Sequence, residues 1–170
     1  MKVMSAPFIR VEKSTRLIML HVVISLMPAL LGAVYFFGIR AFYLTGFSVA
    51  VCVLTEYLWQ KLTKKQVTAG DFSAVVTGIL LAFNMPVTVP VWVVAAAAVF
   101  SILFVKEIFG GIGNNFVNPA LMGRLLVMVT WPGTVINYTV PGTLPVDAVS
   151  GATVLGSVKT GAQAGYSYWQ

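Results

Sequence analysis

The chain has 170 residues, of which 58% are hydrophobic and 9% are charged, with a mean hydropathy of +0.89 and a net charge of +6. Because soluble domains carry about 25% charged residues, this composition excludes an ordinary soluble enzyme domain. The basic residues lie between apolar segments and not on one polar face, which argues against nucleic-acid binding and makes them markers of membrane topology.

The chain has a single cysteine, Cys52, inside an apolar run. One thiol forms no internal disulfide and cannot by itself hold an iron–sulfur cluster or a zinc ion. The sequence also lacks a nucleotide-binding fingerprint. We therefore expect Cys52 to be a small buried hydrophobe and predict no metal site and no catalytic residue that would let this chain oxidise NADH alone.

Two long apolar segments follow a basic leader. Residues 1–16 are polar and basic, and we predict a cytoplasmic N-terminal segment there. Residues 17–37 and residues 41–58 are each long enough to span a bilayer. Lys61, Lys64 and Lys65 follow the second span, so the positive-inside rule places both basic clusters on the cytoplasmic side.

The next apolar segments are interrupted by proline. Residues 73–83 are too few for a comfortable crossing and are followed by Pro86 and Pro90. Residues 91–105 are apolar again, and a further short helix is predicted from Asn118 to the residues before Pro132. Irregular backbone at membrane depth is tolerated only where protein covers it or where it lines a cavity, so broken helices indicate a site.

These segments predict an all-α polytopic membrane protein, a helical bundle with short broken or re-entrant helices. We expect about five membrane segments within residues 17–132, beginning in the cytoplasm. Residues 133–170 then form an extracytoplasmic loop, which is consistent with its single basic residue, Lys159. Lys106 and Glu107 are interpreted as marking a return to the cytoplasm, and Glu56 and Asp71 as residues solvated at the membrane boundary.

The extracytoplasmic loop contains the sequence Asp147-Ala-Val-Ser-Gly-Ala-Thr153, which has the character of an attachment point. Ser150, Gly151 and Ala152 are small, so that a bulky group can approach the backbone, and Gly151 permits positive φ. Thr153 offers an oxygen for esterification, and Asp147 with Ser150 could place a metal or polarise that hydroxyl during transfer. The alternative is an Asx or Ser/Thr turn between helices.

Other polar residues lie around the last short helix. Arg124 is in the middle of an apolar stretch, where a charge is costly, so it either meets a phosphate, a carboxylate or an ion path, or extends to a nearby interface. Asn114, Asn115 and Asn118 lie at the glycine-rich start of this helix. They could contact a flavin ring or coordinate an ion, whereas capping and loop hydrogen bonds are the alternative.

Five blocks of sequence, in this order, resemble a known family. They are Ser5-Ala-Pro-Phe-Ile-Arg10, residues 71–86 (DFSAVVTGILLAFNMP), residues 106–115 (KEIFGGIGNN), residues 117–124 (VNPALMGR) and residues 147–153 (DAVSGAT). Together they are similar to the D-subunit family of Rnf ion-translocating ferredoxin:NAD oxidoreductases, and to the related B-subunit family of sodium-pumping NADH:quinone reductases. The short leader favours the Rnf family, and the resemblance covers its N-terminal half.

The resemblance implies an inner-membrane component, bacterial or archaeal, of a complex that couples ferredoxin and NAD to Na⁺ or H⁺ transport. It implies FMN bound covalently to Thr153 through a phosphoester, a second flavin as non-covalent riboflavin, and a fold that is half of a urea-transporter-like bundle. The implied partners are the A, B, C, E and G components of the Rnf complex, a flavin transferase, and membrane lipid, with no nucleic acid. The competing hypotheses are a channel or transporter for a small polar solute, a purely structural component, and the B-type component of an NADH:quinone reductase.

Overall fold

A computed structural model describes residues 14–64, 69–111, 115, 117–135, 138–139 and 150–151, with the backbone alone for residue 69 and the last two pairs. The helices are α1 (Thr15–Phe37), α2 (Ile39–Leu62), α3 (Ser73–Phe83), α4 (Val91–Phe100), α5 (Pro119–Thr130) and α6 (Pro132–Val135). A 3₁₀ turn covers Ala69–Asp71, and α4 continues as a π-helical segment, Ser101–Glu107. The described part of the chain is therefore helical, except for a pair of two-residue strands, β1 (Tyr138–Thr139) and β2 (Ser150–Gly151).

Two of these helices are long and apolar enough to cross a membrane. Helix α1 has 23 residues with a mean hydropathy of 2.3, and α2 has 24 residues with a mean hydropathy of 1.5. At about 1.5 Å per residue both exceed the hydrocarbon thickness of about 30 Å. They are joined by Gly38 alone, whose φ of 77° lies in the left-handed region that glycine adopts without a steric penalty.

The short helices form as the proline pattern predicts. Helices α3 and α5 have 11 and 12 residues, so each spans roughly 17–18 Å at about 1.5 Å per residue, well short of a crossing. Helix α3 ends at Phe83, before Pro86, and α5 ends at Thr130, before Pro132. The predicted broken helices are thus present, and the all-α fold is confirmed apart from the strand pair β1–β2, which the sequence did not predict.

Helix α2 is the centre of the packing and contacts α1, α3, α4 and the π-helical segment. The core lies between α2, α3, α4 and α5, and it is built from small and branched apolar side chains: Cys52, Ala74, Leu81, Val93, Val94, Ala97, Ile102 and Val127. Cys52 is fully buried, as expected. Helix α1 contains no buried residue, so its side chains remain largely exposed.

Each short helix meets a neighbouring helical segment through a glycine. A Cβ added at Gly78 of α3 would lie 2.6 Å from the Cα atom of Val49 in α2, and the Gly78 carbonyl accepts a hydrogen bond of 2.8 Å from Ser48. A Cβ added at Gly123 of α5 would overlap the hydroxyl oxygen of Ser101. Glycine at these two positions allows the backbones to approach closely, as is common between membrane helices.

We expect Gly78→Ala to destabilise the bundle by about 1–3 kcal/mol, because backbone atoms of Val49 cannot move away cheaply from the added methyl group. The matched control is Gly46→Ala in α2, where no atom lies within 4 Å of the added Cβ and where alanine favours the helix by about 0.5–1 kcal/mol. Unfolding of the purified protein by sodium dodecyl sulfate in mixed micelles measures both. Equal stability of the two variants would contradict the close approach.

Candidate functional site: a buried ion pair beside a polar pocket

The described chain buries a complete ion pair between α2 and the π-helical segment. The Lys106 ammonium lies 2.7 Å from the Oε2 atom of Glu56, and the two side chains are 3% and 0% exposed. Isolated charges are very costly to bury, so each of these groups depends on the other. The sequence-based interpretation of Glu56 and Lys106 as boundary residues solvated by water is therefore wrong.

Further polar groups extend the pair in both directions. Lys106 also donates to the Ser73 hydroxyl at 2.5 Å, and that hydroxyl donates to the carboxylate of Asp71 at 2.6 Å. On the other side, the Gln60 amide donates to Glu56 at 3.1 Å and to Glu107 at 2.9 Å. One ammonium thus serves a cluster with three carboxylates, which carries two net negative charges when every group is ionised.

The π-helical segment places Lys106 and Glu107 side by side in the interior, where both are 3% exposed. Its wider turn is visible in the hydrogen bonds, because the Ile108 N–H bonds to the carbonyl of Leu103, five residues earlier, at 3.1 Å. Such turns are rare in proteins and are frequent at functional sites. We infer that the local unwinding of this helix exists to bring both charged residues to the cluster.

A polar pocket of about 410 Å³ lies directly beside the ion pair. Its lining combines polar side chains from α3, the π-helical segment and the start of α5 with apolar ones from α1 and α3: Met19, Ser73, Val76, Thr77, Leu80, Lys106, Asn115, Val117, Asn118 and Pro119. Ligand sites have this character, with a mostly apolar wall and a few polar groups that fix orientation. A second pocket, of about 300 Å³ between α1, α2 and the end of α3, is lined by apolar residues and Thr45.

Two groups at the polar pocket have hydrogen-bonding capacity to spare. The Oδ1 atom of Asn115 is buried and has no partner among the described residues. An ammonium has three N–H donors, and within the described part of the chain Lys106 uses two of them, on Glu56 and Ser73. Buried polar groups are normally paired, so the pocket offers an acceptor and a donor to a ligand.

The other predicted site residues on α5 have structural partners. Asn118 caps the helix, because its side-chain oxygen accepts from the Ala120 N–H at 2.9 Å, and it also lines the pocket. Arg124 donates to the backbone carbonyl of Asn84 at 2.6 Å and so joins α5 to the end of α3. This contact inside the protein agrees with neither a phosphate partner nor extension to an interface. Asn114 lies outside the described residues.

We expect Asn118→Ala to destabilise the fold by about 1 kcal/mol, since the cap of α5 is lost and the N–H of Ala120 is left unsatisfied. Asn118→Asp, which retains a capping oxygen, is the matched control and should remain close to the wild type. Thermal denaturation of the protein in detergent, followed by circular dichroism, compares the three. A midpoint for Asn118→Ala equal to that of Asn118→Asp would argue against the cap.

The predicted attachment sequence is only partly within the described residues. Asp147, Ala152 and Thr153 lie outside them, whereas Ser150 and Gly151 form β2. Strand β2 pairs antiparallel with β1, with Tyr138 opposite Gly151 and Thr139 opposite Ser150. The middle of the sequence is therefore hydrogen-bonded to the segment that follows α6. Its role as an attachment point stays a prediction.

Comparison with known proteins identifies the family. Residues 2–170 match the NQR2, RnfD, RnfE family. The chain belongs to this family. As a member of it, with two spanning helices and an almost wholly helical fold, the chain is an all-α membrane protein. The resemblance found from the five sequence blocks is thereby confirmed.

Individual relatives within the family agree with the Rnf resemblance, and three of them are D subunits of named complexes. The chain is 46% identical to that of the Na(+)-translocating ferredoxin:NAD(+) oxidoreductase complex of Acetobacterium woodii, with 94% of this chain and 49% of the relative covered. It is 37% identical to that of the proton-translocating ferredoxin:NAD(+) oxidoreductase complex of Clostridium ljungdahlii, with 91% and 47% covered. It is 32% identical to that of the ion-translocating oxidoreductase complex of Pectobacterium atrosepticum, with 88% and 43% covered. The chain thus spans about half the length of the curated relatives it matches.

The sequence interpretation missed the charged cluster because it assigned its members one by one to membrane boundaries. Helix α2 extends to Leu62, four residues beyond the predicted span. As a result, Glu56 and Gln60 lie inside the helix and not at its end. A signal was available, since Glu56 and Gln60 are four residues apart and share one face of a helix.

Proposed function

We propose that this chain belongs to the membrane part of an ion-translocating oxidoreductase and carries FMN on Thr153 as an electron relay. In this proposal the complex couples ferredoxin and NAD redox chemistry to the movement of Na⁺ or H⁺ across the membrane. The observation that carries the proposal is the occurrence of Asp147–Thr153 in a chain that matches the family along residues 2–170. The relatives' names include both Na⁺ and H⁺, so either ion remains within the proposal.

A covalent attachment suits an extracytoplasmic position, because free FMN lost to the exterior would not be replaced. The tether makes cofactor binding intramolecular and fixes the position of the flavin. The pairing of β2 with β1 supports this arrangement. Two residues of extended chain span about 7 Å at most, so a group on Thr153 would be held close to Gly151 and to the strand pair.

We further propose that the polar pocket takes the second, non-covalent flavin. Flavins supply one- and two-electron transfer when bound. Riboflavin carries no phosphate, and Lys106 is the one charged residue among the described residues that line the pocket, already paired with Glu56. The pocket therefore suits an uncharged flavin better than a phosphorylated one. The unpartnered Asn115 oxygen could accept from a ring N–H, with Asn118 beside it.

The proposed topology places the N-terminus in the cytoplasm and the Thr153 loop outside. The exposed lysines at the end of α2, Lys61 and Lys64, support a cytoplasmic position for that end. The proposed partners are the remaining components of the Rnf complex, a flavin transferase that attaches FMN, and the surrounding lipid. The charged cluster at Glu56 and Lys106 lies near the same end of α2 as these lysines, on the side from which a cytoplasmic cation would approach.

Fluorescence of the denatured protein tests the proposed function. The protein is expressed in a membrane together with a flavin transferase and Mg²⁺, denatured, and separated by electrophoresis. We expect a band at the mass of the chain that fluoresces under ultraviolet light, because only a covalent flavin survives denaturation. A colourless protein and a dark band would instead support a channel or transporter that uses the same broken helices without a flavin.

A further inference from the structure

Lys106 connects the polar pocket to the carboxylate cluster. Its ammonium is 3% exposed, lies 2.7 Å from Glu56 and 2.5 Å from the Ser73 hydroxyl, and belongs to the wall of the pocket. Two of its three N–H groups are therefore occupied by described residues and the third has no described partner. A buried ammonium with an unused donor at a pocket wall indicates a ligand with an acceptor atom there.

We propose that Lys106 donates this third N–H to an acceptor atom of the pocket's occupant, and that Glu56 is a positioning residue that holds the ammonium in place. The inference rests on the proposed function, because the occupant it assumes is the non-covalent flavin. The carbonyl oxygens and ring nitrogens of a flavin supply acceptors of this kind. No bond is formed or broken in this contact.

The position of the ammonium is fixed before a ligand arrives. Glu56 on α2 and Ser73 on α3 hold it from two directions, and the lysine itself comes from the π-helical segment. The entropic cost of ordering a long, flexible side chain is therefore met by the fold and not by ligand binding. A hydrogen bond from a charged, desolvated donor is also stronger than one between neutral groups.

The same charge controls the electronic preference of the pocket. A fixed positive charge in a low-dielectric site favours the more electron-rich form of whatever is bound. Lys106 should therefore raise the reduction potential of a flavin in the pocket. Because one ammonium faces both Glu56 and the pocket, additional negative charge on either side competes for it, which links the pocket electrostatically to the carboxylates of Glu56, Asp71 and Glu107.

The test uses the complete membrane protein, purified in detergent from its membrane together with the other components of its complex. Lys106→Met removes the ammonium and keeps most of the side-chain volume. The double variant Glu56→Met with Lys106→Met also removes the carboxylate that the single variant leaves unpaired. Lys61→Met is the matched control, since Lys61 is an exposed lysine of α2 that lies away from the pocket. After denaturation, released riboflavin is measured relative to the covalent FMN that stays with the chain.

We expect both Lys106 variants to retain about 10-fold less riboflavin than the wild type, from the loss of one charge-assisted hydrogen bond. The riboflavin that remains should have a more negative midpoint potential in a spectroscopic titration. Lys61→Met should change neither quantity. Normal riboflavin content and potential in the double variant would overturn the inference, because the loss in Lys106→Met would then reflect only the unpaired Glu56.

The covalent FMN separates this inference from the proposed function. A wild-type complex with FMN on Thr153 but no released riboflavin would overturn the role of Lys106 while leaving the covalent relay intact. A wild-type complex that releases riboflavin but carries no covalent FMN would contradict the proposed relay, and the effect of Lys106 on the released flavin would still be decided by the two variants.

Discussion

Thr153→Val should abolish the covalent flavin completely. Valine has nearly the same shape as threonine but lacks the hydroxyl oxygen, and without that oxygen no phosphoester can form. We expect the fluorescent band of the denatured chain to disappear, while the amount of protein in the membrane remains the same. In-gel fluorescence normalised to an immunoblot measures the two quantities on one sample.

The matched control is Thr160→Val, which changes a threonine in the same region but outside the Asp147–Thr153 sequence. It should fluoresce as strongly as the wild type. Fluorescence that persists in Thr153→Val, or that is lost in Thr160→Val, would place the attachment on another residue. The proposed electron relay would then have to be rebuilt around that residue.

Removing one member of the buried ion pair should be the most damaging change within the bundle. Glu56→Met leaves the Lys106 ammonium 3% exposed, with Ser73 as its remaining described partner. Breaking a buried pair in this way costs on the order of 3–5 kcal/mol, because an uncompensated charge stays in the interior. We expect a loss of this size in the free energy of unfolding, measured by dodecyl sulfate titration in mixed micelles.

The double variant Glu56→Met with Lys106→Met distinguishes charge from packing. Replacement of a whole buried pair by apolar side chains of similar volume is often nearly neutral, so the double variant should recover most of the stability that Glu56→Met loses. If Glu56→Met alone were as stable as the wild type, the two groups would not depend on each other in the folded protein.

The helices were predictable because their boundaries depend on local chemistry. The apolar runs that became α1 and α2 could be read from length and charge alone, and Asn118 with Pro119 predicted the start of α5 correctly. Pro86 and Pro132 likewise predicted where the short helices end. These signals act over a few residues, so that one sequence is sufficient to detect them.

The charged cluster was not predictable in the same way, because it depends on pairing between distant residues. Lys106 and Glu56 are fifty positions apart, and each has an ordinary explanation as a boundary residue when considered alone. The π-helical turn that directs both Lys106 and Glu107 inward has no sequence signal that we detected. Arg124 is similar, since its partner is the backbone carbonyl of Asn84, forty residues away.

The attachment sequence illustrates the opposite case. Its residue types and its resemblance to a known family predict a modification that the fold alone does not require. The structure adds the pairing of Ser150 and Gly151 with β1, which describes the backbone beside the site and not its chemistry. The chemistry therefore has to be established by a direct measurement on Thr153.

That measurement is the mass of the tryptic peptide from Leu125 to Lys159, which contains the whole Asp147–Thr153 sequence. The protein should be isolated from its native membrane, where the flavin transferase has acted. We predict a peptide heavier than its sequence by FMN less one water, with fragmentation that assigns the addition to Thr153. A peptide of unmodified mass would contradict the covalent relay on which the proposed function depends.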